Sequence, residues 1–347
     1  MNQTTRPGAD ITLCIGLEKT GTTTLQGLCD AQRKALMAQG ILYPALLGRR
    51  NHIFLAAYAQ DDDKTCNVRQ AILAKQGVDA PELRRMTERQ VETIAARAGY
   101  SRLLLSNEHL HSRITHPGEL ERLKRLLAPV GSRFRIAVVL RRQDRVAESS
   151  LSTQMKGGRP NIEPVLPAGA ELPLFYRYYD LLDMYEEVFG QGSVHVAIYE
   201  DQEREDTDLV SLFEDAAGIP GALSRPQDAP RRNPALSRDG LRILGRINRL
   251  ARDDARFDDA HRRAIVSELE QSHGGGSALV TRRQAETFLE RCAEQNEKVR
   301  ARWLPDRARL FDLDLTRYPD LPEAGGMDEA EVQAQAEALL QAILPAV

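Results

Sequence analysis

A short apolar strand that runs directly into a glycine-containing turn and a helix is the feature that most constrains the fold. Residues 11–16 read ITLCIG, which is the pattern of a buried β-strand. An amphipathic helix is predicted over residues 23–39, because apolar side chains recur there at helical spacing before Gly40. The segment ILYP then resumes an extended conformation. A strand, a turn, a helix and a second strand open a β-α-β unit, which predicts parallel strand pairing.

Further apolar runs predict more strands, and helical stretches separate them. The predicted strands cover residues 102–107, 135–140 and 194–199. The predicted helices cover residues 81–98, 117–127, 143–156, 174–189 and 209–217. This alternation predicts an α/β fold with a mostly parallel sheet flanked by helices. No strand pattern follows Pro220: residues 237–300 predict several helices, and residues 329–344 predict a peripheral one.

Composition narrows the classes of partner. The 347 residues carry a net charge of −3, which gives no electrostatic reason to expect nucleic acid or an anionic membrane. The four cysteines show no C-x-x-C spacing, which fits a reducing compartment. The first ten residues contain no apolar signal segment, and no run approaches the roughly 18 apolar residues of a membrane span. We therefore expect a soluble, cytoplasmic protein.

The turn after the first strand has the composition of a phosphate-binding loop. Residues 16–24 read GLEKTGTTT, so backbone N–H groups of the turn and of the helix N-terminus can bind an anion. Thr22, Thr23 and Thr24 add hydroxyl groups, and Lys19 adds a positive charge. Lys19 precedes Gly21, which differs from the nucleoside-triphosphatase order G-x-x-x-x-G-K-[ST]. An ordinary strand-to-helix turn capped by a threonine is the alternative interpretation.

A second candidate anion site follows the strand predicted over residues 135–140. Arg141 leaves the strand, and Ser149 lies eight residues later on the next helix, a little over two turns away. A guanidinium and a hydroxyl on one side of this element can bind a terminal phosphate. Arg142 with Ser150 has the same spacing and is the alternative register. The plainer interpretation is a helix start that carries solvated charges.

These two segments together resemble the PAPS-dependent sulfotransferases, whose 5′-phosphosulfate loop commonly reads P-K-[ST]-G-T-[ST] and whose 3′-phosphate motif is an arginine with a serine eight residues on. Glu18 stands where proline is usual, and the sequence is most similar to bacterial members that modify polysaccharides or other carbohydrates. The resemblance implies a P-loop-like fold, PAPS (3′-phosphoadenosine-5′-phosphosulfate) as co-substrate, PAP as product, and no metal. The nucleotide contacts that it implies are Glu18, Lys19, Thr20, Gly21, Thr22, Thr23, Thr24, Arg141, Ser149 and, from a weaker match, Arg232 and Asn233.

The same resemblance sets the expected domain organisation. A sulfotransferase domain is expected over residues 1–320, with a nucleotide-binding α/β core over about 10–222 and a helical region over about 223–320. Residues 321–347 are expected to add a peripheral C-terminal helix.

Transfer of a sulfuryl group to a hydroxyl needs a group that accepts the hydroxyl proton, and the family uses histidine or glutamate there. Glu108 and His109 follow the strand predicted over residues 102–107, at the edge where open α/β sheets bind ligands. His52, after the second strand, is another candidate. We prefer Glu108 and keep His52 and His109 as alternatives. Lys19 completes the catalytic set, because its charge can follow the leaving oxygen.

The acceptor is expected to be a carbohydrate or a glycolipid. Residues 155–160 and 175–179 are candidates for its pocket, although the tyrosines of the second segment equally fit helix packing. Two other functions remain open. A P-loop kinase or other nucleotide phosphotransferase would need a carboxylate that binds a metal ion after a strand, where Glu200 is a weak candidate. A module that binds a phosphorylated ligand without catalysis would need no base.

Overall fold

Five parallel strands form the sheet of the computed structural model, which describes residues 8–16, 18, 20–203, 208–225, 235–276, 278–321 and 326–344. The strands are β1 (Asp10–Cys14), β2 (Ile41–Leu42), β3 (Arg102–Ser106), β4 (Phe134–Leu140) and β5 (Val194–Ile198). Their order is β2-β3-β1-β4-β5, so β1 is central and pairs with β3 on one side and β4 on the other. The predicted α/β fold with a parallel sheet and flanking helices is confirmed.

Helices occupy most of the remaining described chain. Those up to α10 are α1 (Thr22–Ala31), α2 (Arg33–Ala38), α3 (Phe54–Ala59), α4 (Asn67–Gln76), α5 (Ala80–Ala96), α6 (His109–Arg113), α7 (Pro117–Leu127), α8 (Gln143–Lys156), α9 (Tyr178–Phe189) and α10 (Leu209–Ala217). The later helices are α11 (Arg238–Leu250), α12 (Asp259–Ser272), α13 (Arg282–Trp303) and α14 (Glu329–Ile343). Short 3-10 helices lie at Leu174–Tyr176 and Tyr199–Glu203. In the described part of the chain, no helix is both long and apolar enough to cross a bilayer.

The central strands are buried on both faces, as expected of a parallel sheet with helices around it. Residues 11–14 of β1 and 103–106 of β3 are all buried. On one face, α1, α2 and α10 pack against the sheet through a cluster that includes Cys14, Leu104 and Ala137. This burial holds the strand ends at fixed positions, so the residues that directly follow the strands are also held in place.

The chain divides into two compact units that are not colinear with the sequence. The first contains the described residues of Met1–Arg142, Pro173–Pro226 and Glu294–Phe311. The second contains those of Gln143–Leu172, Gln227–Ala293 and Asp312–Val347. This division differs from the predicted boundary near residue 222, because α8 belongs to the second unit although it follows β4 directly.

The C-terminal helix α14 is part of the core of the second unit, which differs from the peripheral position predicted for it. Its Val332 and Ala336 are buried in a cluster with side chains of α8, α11 and α12. The sequence of α14 is rich in alanine and glutamate, which suggested a surface helix. The partly buried Leu339, Leu340 and Ile343 pack against the same cluster, to which α11 contributes a nearly continuous apolar face.

Several predicted helices are confirmed, and one is divided where a distant residue contacts it. Helices α7, α8 and α10 have the predicted bounds. The single helix predicted over residues 23–39 is divided into α1 and α2 at Gln32, whose side chain exchanges two hydrogen bonds with the backbone of Ser224. Helices α3 and α4 were not predicted.

The close crossing of α11 over the end of α8 yields a stability prediction. A Cβ added at Gly245 would lie 2.7 Å from the carbonyl oxygen of Pro160, so Gly245→Ala must shift α11. We expect a loss of about 1–3 kcal/mol in the free energy of unfolding, measured by urea denaturation. Gly27→Ala on α1 is the matched control, since a Cβ there meets nothing within 4 Å and should stabilise the helix by up to about 1 kcal/mol. Equal stability of Gly245→Ala and wild type would contradict this packing.

Candidate active site

The candidate site lies at the carboxyl edge of the sheet, where β1 and β4 are neighbours. The connection from β1 leads to β2 at one edge, and the connection from β4 leads to β5 at the other edge. Adjacent strands whose connections leave in opposite directions open a crevice, which is where open α/β sheets bind ligands. The loop that begins at Gly16 follows β1, and Arg141 follows β4. Both predicted anion-binding segments therefore start at this crevice.

The loop after β1 closes on itself before α1 begins. Gly16 has a φ of 39°, and a Cβ at this position would lie 2.7 Å from Cγ2 of Thr22. Gly21, with a φ of 78°, precedes α1, and its carbonyl accepts hydrogen bonds from the backbone N–H groups of Thr24 and Leu25. Gly21, the N-cap residue, has no side chain that could cap α1, and the backbone N–H groups of Thr22 and Thr23 make no hydrogen bond to another described residue. These first N–H groups of α1 therefore remain available to an anion.

The hydroxyl-bearing residues of this loop differ in exposure. Thr20 is buried, Thr22 is half-buried, and Thr23 and Thr24 are exposed at the start of α1. Lys19 lies outside the described residues, so its predicted position remains a prediction.

Glu18 is tied to helix α6. Its Oε1 lies 3.5 Å from Nδ1 of His109. Burial by itself raises the pKa of this carboxyl, but the nearby polar groups of His109 and Ser112 and the electrostatic effect of His109 and Arg113 outweigh burial and lower the pKa to about 2. Glu18 is therefore ionised at neutral pH. An ionised carboxylate repels a phosphate, which argues against a direct contact between Glu18 and the nucleotide. Its contact with His109 instead suits a role in anchoring the loop to α6.

Glu108 lies beside the beginning of the same loop. Its Cα would be 3.9 Å from a Cβ added at Gly16. Gln26, which is buried on α1, donates a hydrogen bond from Nε2 to Oε2 of Glu108 at 2.8 Å and lies 3.3 Å from Oγ of Ser106. Among the hydrogen bonds and ion pairs of the described residues, this is the contact that orients the Glu108 carboxylate. Its other oxygen, Oε1, is left for an external partner.

His52 is held inside the protein. Its Nε2 lies 3.0 Å from the carbonyl oxygen of Pro44, and its Nδ1 accepts a hydrogen bond from the backbone N–H of Ser106 at 3.0 Å. The side chain is fully buried, and burial lowers its pKa to about 4. Both ring nitrogens are engaged, so His52 links the segment after β2 to the end of β3.

Arg141 lies at the end of β4 with its guanidinium 4.7 Å from the ring centroid of Tyr199. The neighbouring residue, Arg142, is buried, and its backbone N–H donates to Oε1 of Glu200 at 3.0 Å. Burial also raises the pKa of Glu200. Of the two arginines that the alternative registers offer, Arg141 is more exposed than Arg142.

The serines of the second motif lie on α8, in the second unit. Ser149 is half-buried and Ser150 is buried, so Ser149 is the more accessible of the two. The pairing of Arg141 with Ser149 stays a prediction. Arg232 and Asn233 lie outside the described residues.

The two segments predicted to line an acceptor pocket make mainly structural contacts. Asn248 Nδ2 donates to the carbonyl oxygens of Met155 and Arg159, both at 2.8 Å. Tyr178 is buried, and its hydroxyl donates to the carbonyl oxygen of Arg141 at 2.8 Å. Tyr178 therefore holds the backbone at the end of β4 in place.

A cluster of potential metal ligands is already satisfied by cations of the protein. Asp61, His116 and Glu119 place their ligand atoms within 4.8 Å of one another. Oε2 of Glu119 lies 2.6 Å from Nζ of Lys64, and Oδ1 of Asp61 accepts from Arg122 at 2.8 Å. The cluster is an ion-pair network that joins α7 to the segment after α3.

Gln26 is the functional candidate that the sequence analysis missed. It precedes Cys29 by one helical turn, on the apolar side of α1, and a polar residue on a buried face needs a hydrogen-bond partner. That conflict is the signal that could have identified it.

Comparisons with known proteins yield little at the level of sequence. No family model matches the chain, and no curated protein matches it. Among solved structures, a sulfotransferase from Alicyclobacillus acidocaldarius aligns over 77% of this chain and 96% of that chain, with 16% identity and a TM-score of 0.40. A similarity this low does not bear on function, which must be argued from the site.

Histidine burial next to the site predicts how stability depends on pH. His111 is fully buried, neither ring nitrogen has a hydrogen-bond partner, and burial lowers its pKa to about 4. Below pH 6.5 the unfolded chain binds a proton that the folded protein does not, so stability falls between pH 6.5 and 4. We expect His111→Phe to remove a share of this fall on the order of 3 kcal/mol. Denaturation across this pH range tests it, and an unchanged slope in the variant would refute it.

Proposed function

We propose that this chain is a sulfotransferase that transfers a sulfuryl group from PAPS to a hydroxyl or amine of a carbohydrate-type acceptor. One observation carries the proposal. A self-closing loop with its lysine ahead of the glycine begins at the same sheet crevice as Arg141. The loop thus offers an anion site at one strand end, and Arg141 offers a second positive group at the neighbouring strand end.

The donor would bind along this crevice. The uncapped N–H groups of α1 and the hydroxyls of Thr22, Thr23 and Thr24 suit the 5′-phosphosulfate. Lys19 would neutralise charge that develops on the leaving oxygen. Arg141 would bind the 3′-phosphate, and its pairing with Ser149 stays a prediction of the sequence. From the weaker sequence match, Arg232 and Asn233 are also proposed to contact the nucleotide.

The reaction needs one proton acceptor. The acceptor oxygen forms a bond to sulfur while the bond from sulfur to the phosphate oxygen breaks, and the electron pair of that bond stays on PAP. The acceptor proton moves to a base. Glu108 suits this role because it lies beside the loop and has one carboxylate oxygen oriented by Gln26.

The other two base candidates are less suited by their contacts. Both ring nitrogens of His52 are engaged inside the protein, which leaves no nitrogen for an acceptor. His109 is paired with Glu18, so it contributes to the position of the loop. We therefore propose Glu108 as the base and assign positioning roles to His52, His109 and Glu18.

The kinase alternative is not favoured. It requires an ionised carboxylate that binds a metal ion, yet Glu200 is largely withdrawn from solvent and burial raises its pKa, which disfavours the ionised form. The cytoplasmic location remains part of the proposal; it is supported by four cysteines that are all buried and unpaired.

Binding of PAP without magnesium is the first test of the proposal. We expect calorimetry to give a Kd in the micromolar range or tighter, because α1 and Arg141 supply charge and hydrogen bonds at both ends of the nucleotide. Mg–ATP should bind much more weakly. Binding of Mg–ATP alone would instead favour a phosphotransferase, and binding of PAP with no transfer to any acceptor would favour the non-enzymatic module.

Replacement of the proposed base should separate chemistry from binding. Glu108→Gln keeps the hydrogen-bonding shape of the side chain but removes its basicity, so we expect kcat for sulfuryl transfer to fall by about 100- to 10,000-fold. The Kd for PAP should stay at the wild-type value. Glu121→Gln, at an exposed position of α7, is the matched control and should have no effect. Wild-type kcat in Glu108→Gln would exclude this carboxylate as the base.

A further inference from the structure

A cavity of about 660 Å³ lies in the first unit, next to the candidate site. This volume is typical of sites for small molecules. It is an open cleft bounded by the loop at residues 45–53, by α4 and by α5, and we refer to it as the α4–α5 cleft. None of the residues that were predicted to bind the acceptor belongs to it.

The lining of the α4–α5 cleft is mainly apolar. Its apolar side chains include Leu46, Ile53, Phe54, Val68, Ile72 and Met86. The charged groups in the lining are basic, Arg49 and Lys75, and the residues described there include no carboxylate. Such a lining favours a ligand with an apolar part and disfavours a cation.

The loop that forms one wall of the cleft has a strained backbone. Leu47, Arg49 and His52 have φ values of 63°, 69° and 45°, although none of them is glycine. Each such residue costs about 1–3 kcal/mol and persists only where the surroundings enforce it. Here Gln90 Oε1 accepts from the backbone N–H of Leu47 at 2.5 Å, and both nitrogens of His52 are bonded. Strain of this kind concentrates where a binding surface must keep a fixed shape.

The cleft is connected to the candidate site through the end of β3. His109 contributes to the lining and pairs with Glu18 of the phosphate loop. Asn51, also in the lining, accepts a hydrogen bond at its carbonyl oxygen from Asn107 Nδ2 at 2.7 Å. Glu108 lies between Asn107 and His109 in the chain. An acceptor seated in the cleft would thus extend toward the proposed base.

We propose that the α4–α5 cleft is the acceptor site and that the acceptor is amphipathic, a sugar that carries a hydrocarbon group. The hydrocarbon would pack against the apolar wall, and the sugar hydroxyl would extend toward Glu108. The assignment of the cleft to the acceptor rests on the proposed sulfotransferase function. The predicted binding of an apolar glycoside can be measured without any transfer reaction.

Direct binding of alkyl glucosides tests the proposal. Hexyl, heptyl and octyl β-glucoside are titrated into the protein by calorimetry, below their micelle concentrations. We expect the affinity to rise by up to about fourfold for each added methylene, because each one buries more apolar surface. The variant Ala71→Glu places a carboxylate in the lining from an exposed position of α4, and it should weaken octyl glucoside binding by roughly tenfold or more.

A matched control lies on the same helix. Ala74→Glu is also exposed on α4 but outside the lining, so it should bind octyl glucoside like the wild type. Affinity that does not depend on chain length, or equal binding by the two variants, would overturn the proposed site. PAP binding is measured on the same samples. If the wild-type protein binds octyl glucoside but not PAP, the sulfotransferase proposal is refuted and the cleft remains a binding site.

Discussion

Parallel pairing of β1 with β3 on one side and with β4 on the other is the constraint on which the candidate site depends. The register places Cys14 opposite both Ser106 and Ala137, so β1 and β3 end at the same level. Strand β4 continues three residues further, to Leu140. At about 3.3 Å per residue, Arg141 lies roughly 13 Å beyond the end of β1 along the strand direction. The candidate anion-binding loop and an arginine that are offset in this way suit a ligand with negative charge at two ends.

The two glutamates near the loop that follows β1 illustrate how environment divides proposed roles between identical side chains. Polar and positively charged groups of α6 lower the pKa of Glu18 to about 2, which keeps it ionised. A group that gives up its proton so readily is a poor proton acceptor at neutral pH. Glu108 is oriented at one oxygen by an amide, which directs the carboxylate without committing its second oxygen. In the proposed mechanism, anchoring of the loop and proton transfer therefore fall to different residues of the same small region.

The sequence predicted the parallel sheet and the glycine turn after β1, because both depend on local patterns. Apolar runs mark β1 and β4, and the glycine turn after β1 is visible in nine residues. Features that depend on distant partners were not predictable. The break at Gln32 comes from a bond to Ser224, 192 residues away. The burial of His52 depends on its bond to the backbone of Ser106, 54 residues away, and no pattern near His52 distinguishes it from an exposed histidine.

The segment after β2 and the end of β3 determine each other's shape. His52 accepts a hydrogen bond from the backbone of Ser106, and Asn107 donates one to the backbone of Asn51. The strained loop cannot relax without releasing these bonds, and the turn that presents Glu108 cannot move without disturbing the loop. A wall of the α4–α5 cleft and the proposed base are thus parts of one rigid element. An acceptor that packs against that wall would be positioned relative to Glu108 by the protein backbone itself, which is the condition under which proximity lowers a reaction barrier.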